Sequence, residues 1–291
     1  MSRISSYLRS IRWFEISLRM GEPTVALLLT IPVVNSKNIL SAVIGLVGFF
    51  FCWAHGYTLN EWGGYESDRL DPRKSSRPII TGSVTRIELL TLSIVLAVIS
   101  VVIFFLLKPI LSLIVVFDII IGVIYCHPRI LGKTFPFFSL FALFIVSVND
   151  FLLGWLIFSN SILSGITIGV LFGLLGLSGI SYHEAGDYEY DRREEIMTNA
   201  VRYGQKVIFI AGFFFYILAV FYIVYLSIIG LLPNLLYPVF LITFPIYTYF
   251  FLMALRTGLD TDSIHNFIRR YRYIYVIIGI YMVVALAISR L

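Results

Sequence analysis

Two short stretches concentrate carboxylates in a chain that otherwise carries few of them. Residues 60–71 and residues 183–195, here called the first and second acidic segments, hold ten of the 17 Asp and Glu residues. Clustered oxygen ligands favour hard cations, and proteins commonly hold Mg²⁺ with a few carboxylates plus the phosphates of a substrate. The metal ions would neutralise the charge that develops as a diphosphate departs. The pattern predicts a site that binds a diphosphate through bridging Mg²⁺ ions.

The first acidic segment places its oxygen ligands on one helical face. Each residue turns a helix by about 100°, so Asp71, Asp68 and Glu61 fall within roughly 100° of Asn60. Gly64 lies among them and leaves room at the centre of this face. We expect Asn60, Glu61 and Asp68 to be metal ligands, with Asp68 essential for catalysis.

The second acidic segment has the same property. With Asp187 as the reference, His183, Glu184, Asp191 and Glu194 all lie within roughly 60° on a helix. Like charges on one face are destabilising unless something positive lies between them. Glu184, Asp187 and Asp191 are therefore predicted metal ligands, the two aspartates also catalytic. Either segment alone could be a solvated loop whose acids pair with nearby arginines, but two with matching spacing favour a ligand site.

The elements that must position these segments are membrane helices. The 291 residues are 59% hydrophobic and only 13% charged, and their mean hydropathy is +0.91. A soluble domain of this length needs more charge to cover its surface. We predict an all-α integral membrane protein with one domain, residues 1–291, whose helices surround a central cavity. The nine predicted spans are residues 22–37, 39–59, 87–107, 109–126, 136–158, 162–182, 206–230, 232–255 and 272–289.

Charge asymmetry predicts the orientation. If the nine spans are correct, 19 of the 22 Lys and Arg residues lie on one side, together with both acidic segments. Loops rich in Lys and Arg stay in the cytoplasm. The sequence therefore predicts a cell-membrane protein with a cytoplasmic N-terminus and cytoplasmic catalytic segments at residues 60–86 and 183–205. Apolar residues at helical spacing between arginines predict an interfacial helix over residues 1–20. Basic residues in short loops argue against nucleic acid as a partner.

Several motifs around these segments resemble the UbiA superfamily of intramembrane prenyltransferases, over nearly the whole chain. Asn60 with Asp68, and Asp187 with Asp191, match the two aspartate motifs of that family. Further matches are Arg19 to Pro23, Arg77 to Gly82, Tyr125 to Lys133, and Asp191-Arg192 followed by Thr198 and Gly204. Gly64 departs from the family aspartate, and His183-Glu184 departs from the usual Lys-Asp. Glu61 or Glu66 could supply the carboxylate missing at Gly64.

The resemblance implies a reaction. Family members hold a polyprenyl diphosphate through Mg²⁺ and alkylate an acceptor, usually aromatic, inside the membrane. By position in the motifs, the expected substrate-binding residues are Arg19, Arg77, Tyr125, Lys133, His183 and Arg192. Arginine's forked donors suit phosphate oxygens, although loop arginines also follow from membrane topology alone.

Two further carboxylates lie inside predicted spans, at Asp118 and Asp150. An ionisable group at membrane depth is costly and marks a candidate functional site. We predict that Asn149 and Asp150 face the cavity and contact the acceptor or the prenyl cation, whereas the role of Asp118 stays open.

Two other functions remain possible on the sequence alone. A terpene cyclase would use the same site without an external acceptor. A transporter would normally place its coupling charges near the membrane midplane, and only Asp118 and Asp150 fit that pattern.

Overall fold

The structure is a computed structural model that describes residues 3–69, 74–130 and 132–290, and this part of the chain contains helices but no strand. The helices are α1 (Arg3–Ile11), α2 (Trp13–Arg19), α3 (Gly21–Thr30), α4 (Ser36–Gly63), α5 (Tyr65–Asp68), α6 (Arg86–Leu107), α7 (Pro109–Cys126), α8 (Phe138–Phe158), α9 (Ile162–Arg193), α10 (Asn199–Tyr203), α11 (Gln205–Ile228), α12 (Pro238–Arg256) and α13 (Thr261–Arg290).

Among the described residues, eight helices are long and apolar enough to cross a membrane: α4, α6, α7, α8, α9, α11, α12 and α13. The predicted all-α membrane fold is therefore confirmed. The predicted span at 22–37 coincides with α3, which has ten residues, fewer than the roughly 20 that cross a bilayer. Met20 between α2 and α3 keeps a helical conformation, with φ −63° and ψ −16°, so α2 and α3 follow each other directly. The count of nine spans stays a prediction.

The outer surface of the bundle is apolar, as lipid contact requires. Leu106, Leu163 and Ile228 are each more than 75% exposed. Such side chains would be anomalous in water but cost nothing against lipid tails, which are equally apolar. The protein is a multi-pass membrane protein.

Small residues bring α8 and α9 close together. Gly165, Gly169, Gly173 and Gly176 follow one side of α9, and a Cβ at any of them would lie within 3.1 Å of an α8 atom. Without a hydrophobic force between helices in lipid, close backbone approach supplies the packing energy. This packing fixes the position of α9, which carries the second acidic segment.

Both acidic segments extend from long helices. α9 continues without interruption from Ile162 to Arg193. α4 ends at Gly63, but helical backbone bonds continue, from Gly64 N to Asn60 O (2.9 Å) and from Asp68 N to Gly64 O (2.8 Å). Asn60, Gly64 and Asp68 therefore stack on one face, as the helical projection predicts. Asp71 lies outside the described residues.

The N-terminal helices are amphipathic. α1 buries Ser6 and Ser10 and leaves Ile4 73% exposed, and α2 leaves Trp13 62% exposed. In α1 the buried side chains are small and polar, whereas α2 buries Ile16, and both helices expose large apolar side chains. This arrangement suits the predicted interfacial position of residues 1–20.

Candidate active site

A cavity of about 160 Å³ lies between the two acidic segments. Residues distant in sequence meet there because α4, α7 and α9 end at the same end of the bundle. The close approach of α4 to α7 depends on Gly63, where an added Cβ would lie 1.9 Å from the carbonyl oxygen of Cys126. The lining consists of Asn60, Gly64, Asp68, Lys74, Arg77, Tyr125, Ile180, His183, Glu184, Asp187, Tyr190, Asp191, Ile196 and Thr198.

On the first side of the cavity, cationic side chains hold the carboxylate of Asp68. Lys74 donates from Nζ to Oδ1 at 2.6 Å, and Arg77 donates from a guanidinium nitrogen to Oδ2. The Asp68 side chain is only 8% exposed. Both of its oxygens therefore accept from positive groups that also face the cavity.

The two glutamates of the first acidic segment, Glu61 and Glu66, do not line the first cavity. Glu61 is 2% exposed and accepts from Arg12 Nε at 2.8 Å. It is absent from the cavity lining. Glu66 is 59% exposed and pairs with Arg69 and Arg86. Neither glutamate occupies the position where Gly64 lacks a carboxylate.

On the second side, Glu184 and Asp191 accept hydrogen bonds from side chains of other elements. Glu184 Oε1 accepts from the hydroxyl of Ser139 on α8 and from Asn199 Nδ2 at 3.1 Å. Thr198 donates its hydroxyl to Asp191 Oδ2 at 3.2 Å. Asp187, which lies between Glu184 and Asp191 in the sequence, also lines the cavity. Short helix α10 thus ties its first turn to α9 and orients the second acidic segment.

A second cavity, about 200 Å³, adjoins the first along α9. His183 and Ile180 line both cavities. The second cavity runs between α3, α9 and α13, and most of its lining is apolar or aromatic, including Phe172 and Tyr275. Charged and polar side chains also line it, among them Glu15, His183 and Arg272, as well as Arg19 and Glu22, which pair at 3.4 Å.

His183 lies where the two cavities meet. Its Nε2 is 3.0 Å from an Arg272 guanidinium nitrogen, which can only donate, so this ring nitrogen accepts. The hydroxyl of Tyr271 lies 3.4 Å from the same nitrogen. Both partners belong to α13, so His183 links α9 to that helix.

Sequence comparison identifies the family. The model of the UbiA prenyltransferase family matches residues 23–271. The chain belongs to the UbiA prenyltransferase family. The resemblance and the enzyme class predicted from the motifs are confirmed. No curated protein matches the chain significantly.

Solved structures of UbiA homologues share the fold. A UbiA homologue from Archaeoglobus fulgidus bound to GPP and Mg²⁺ superimposes with a TM-score of 0.75 at 19% identity, over 97% of this chain and 99% of that one. An apo UbiA homologue from Aeropyrum pernix K1 gives 0.75 at 16% identity, over 94% and 98%. A digeranylgeranylglyceryl phosphate synthase gives 0.72 at 19% identity, over 98% and 99%. At these identities the likeness establishes the fold.

The structure brings most of the predicted UbiA site residues to one place. Eight of them line the first cavity: Asn60, Asp68, Arg77, Tyr125, His183, Glu184, Asp187 and Asp191. Arg19 lines the second cavity. Arg192 is exposed and contacts the Tyr188 hydroxyl at 3.4 Å. Lys133 belongs to a short 3₁₀ helix, Gly132–Thr134, but its side chain lies outside the described part of the chain.

The intramembrane carboxylates form a separate polar network. Asn149 donates from Nδ2 to Asp118 Oδ1 at 2.6 Å. Trp53 Nε1 contacts both oxygens of Asp150, at 3.3 and 3.2 Å. None of these four side chains lines the two cavities described above. The network joins α4, α7 and α8, and gives Asp118 the partner that its sequence neighbourhood lacks.

Five lining residues were not among the predicted site residues: Lys74, Ile180, Tyr190, Ile196 and Thr198. Lys74 belongs to the basic run between Asp68 and Arg77, so its sequence position was a usable signal. Ile196 follows the end of α9, where no motif distinguishes it. Thr198 belongs to a stretch that resembles the family, so that resemblance was a usable signal.

Proposed function

We propose that this protein transfers a polyprenyl group from a polyprenyl diphosphate to a lipophilic, membrane-associated acceptor, with Mg²⁺ as cofactor. The observation that carries the proposal is the lining of the first cavity, where carboxylates of both acidic segments meet Lys74 and Arg77. Carboxylates that bind a metal ion and cations that bind phosphate are the two components that a metal–diphosphate site needs.

The oxygen donors that line the first cavity fit Mg²⁺. Asp187, Asp191 and the amide of Asn60 offer oxygen ligands to the same cavity, and oxygen ligands are those that Mg²⁺ prefers. When bound, the ion neutralises charge on the departing diphosphate. In the solved UbiA homologues from Archaeoglobus fulgidus, Mg²⁺ accompanies GPP or DMAPP.

Other residues of this chain bind the diphosphate and surround the prenyl tail. Arg77 contacts the diphosphate with paired donors. The prenyl tail extends into the second cavity, whose aromatic and aliphatic lining excludes water from the allylic cation. His183, which lines both cavities, marks the junction where the bond between tail and diphosphate breaks.

The acceptor meets the allylic carbon at this junction, from the second cavity. The family resemblance favours an aromatic acceptor. The digeranylgeranylglyceryl phosphate synthase with the same fold is instead named for a glyceryl lipid. Mass spectrometry of lipids from membranes with and without the protein identifies the acceptor as the precursor that accumulates.

We further propose that the first cavity opens to the cytoplasm, since most Lys and Arg residues lie on its side under the predicted topology.

The test is Mg²⁺-dependent release of diphosphate from a prenyl diphosphate by purified protein. Asp191→Ala should abolish it, while Glu189→Ala, an exposed acid on the same helix, should leave it unchanged. Retained turnover in Asp191→Ala would refute the assignment. A terpene alcohol or hydrocarbon formed without added acceptor would indicate cyclase activity instead.

A further inference from the structure

We propose that Lys74 replaces one metal ion in this active site, so that the protein binds its prenyl diphosphate with a single divalent cation held by the second acidic segment. The inference rests on the proposed function, because it concerns how the same diphosphate is held. It follows from the position of Gly64, the pairing of the neighbouring glutamates and the contacts of Lys74.

Gly64 removes a carboxylate from the wall of the first cavity. It lies on the stacked face between Asn60 and Asp68, and a Cβ added there would be 3.4 Å from Asp68 Oδ2 and 3.0 Å from Asn60 O. A carboxylate at this position would therefore stand beside Asp68. Without it, the first acidic segment has one described carboxylate, Asp68, on the cavity wall.

The nearby glutamates do not make up the loss. Glu61 is engaged by Arg12 at 2.8 Å, with both side chains largely buried, and Glu66 pairs with Arg69 and Arg86 at the surface. Across the described residues, no three or more His, Cys, Asp and Glu side chains form a group that could hold a metal ion by themselves. The substrate's phosphates must therefore supply part of any coordination shell.

Lys74 already occupies the space beside Asp68. Its ammonium is 2.6 Å from Asp68 Oδ1 and 5.7 Å from the centre of the Tyr190 ring on α9. It therefore lies between the two acidic segments. Arg77 takes the second oxygen of Asp68. A divalent cation at this carboxylate would have to displace one positive group and approach the other, which like-charge repulsion opposes.

These contacts define the part that Asp68 plays. Asp68 is a positioning residue, because it fixes Lys74 and Arg77 towards the diphosphate. Lys74 offers one charge and up to three donors as a compact point charge, which suits non-bridging phosphate oxygens. Asp187 and Asp191, with Asn60, hold the one metal ion.

The experiment counts metal ions. Mn²⁺ is titrated into detergent-purified protein saturated with geranyl S-thiolodiphosphate, an analogue with a slow-leaving group, and free Mn²⁺ is measured by electron paramagnetic resonance. We expect one bound Mn²⁺ per chain. Two bound ions would overturn the inference and leave the proposed function standing, whereas no binding of Mn²⁺ or analogue would contradict the proposed function itself.

Variants at Lys74 and Gly64 test the number of bound metal ions further. Lys74→Met should weaken analogue binding about 30-fold or more, while Lys206→Met, at an exposed lysine on α11, should not change it. The double variant Gly64→Asp with Lys74→Ser should bind two Mn²⁺ ions. If Lys74→Met binds the analogue as tightly as the unaltered protein and unfolds at the same temperature, the inference is overturned, whatever the double variant shows.

Discussion

The two acidic segments appear equivalent in sequence but are built differently. The second lies on one continuous helix as far as Arg193, and its Glu184 is held by neutral donors from α8 and α10. In the first, Asp68 and Glu61 are held by positive side chains. The comparison shows that spacing alone identifies which residues meet at a site. The partners of each carboxylate decide whether it is suited to a metal ion or orients cations towards the substrate.

The largest expected difference is between Arg77, which follows the first acidic segment, and Arg192, which belongs to the second. Arg77 lines the first cavity, while Arg192 is exposed and contacts Tyr188. Arg77→Ala should lower the rate of diphosphate release about 100-fold or more, since a charged donor to the leaving group is lost. Arg192→Ala should change it less than about 3-fold, as for a surface substitution. Equal losses in the two variants would contradict the division between the segments.

The two buried glutamates should differ in their effect on stability. Glu61→Ala leaves Arg12 largely buried without its counter-ion and should cost about 3 kcal/mol. Glu184→Ala leaves neutral donors unpaired and should cost about 1–2 kcal/mol. Thermal unfolding in detergent measures both. The double variant Arg12→Ala with Glu61→Ala is the control, because it removes both charges and should be more stable than Glu61→Ala alone.

Two glycines test how tightly each segment is packed. At Gly63 an added Cβ would overlap the backbone oxygen of Cys126, at 1.9 Å, whereas at Gly186 it would meet the end of the Ile268 side chain at 3.1 Å. Gly63→Ala should destabilise the protein by roughly 1–3 kcal/mol through overpacking. Gly186→Ala should cost less than about 1 kcal/mol, because the isoleucine methyl can move. Indistinguishable unfolding temperatures would show that α4 and α7 are not in close contact.

The smallest effect is expected at Glu66. Its carboxylate is 59% exposed and its partners are surface arginines, so the ion pairs contribute at most about 1 kcal/mol. Glu66→Gln should leave both diphosphate release and Mn²⁺ binding unchanged. A loss of Mn²⁺ affinity would instead make Glu66 the substitute for the carboxylate missing at Gly64.

Much of the fold could be predicted from sequence because membrane helices are long apolar runs. Spans such as 109–126 coincide with α7. The helical projection also placed Asn60, Asp68, Asp187 and Asp191 around one cavity. A span of marginal length such as α3 could not be settled, since its ten residues directly follow α2 and the apolar pattern does not show where one helix ends and the next begins.

The sequence could not show which residues, distant along the chain, contact the side chains of the site. Glu61 shares a helical face with Asn60, but Arg12, 49 residues away, pairs with it. Arg12 has a left-handed backbone conformation between α1 and α2, with φ 55°, so its reach depends on a chain turn that no periodicity reveals. Lys74 likewise lies beside Tyr190 of α9, a contact that no periodicity reveals.

The most direct measurement is the anomalous difference map of crystals grown with Mn²⁺ and geranyl S-thiolodiphosphate. The account predicts a manganese peak beside Asp187 and Asp191, diphosphate density against Lys74 and Arg77, and the geranyl tail between α3, α9 and α13. A diphosphate bound away from the second acidic segment, or one in contact with neither Lys74 nor Arg77, would contradict it.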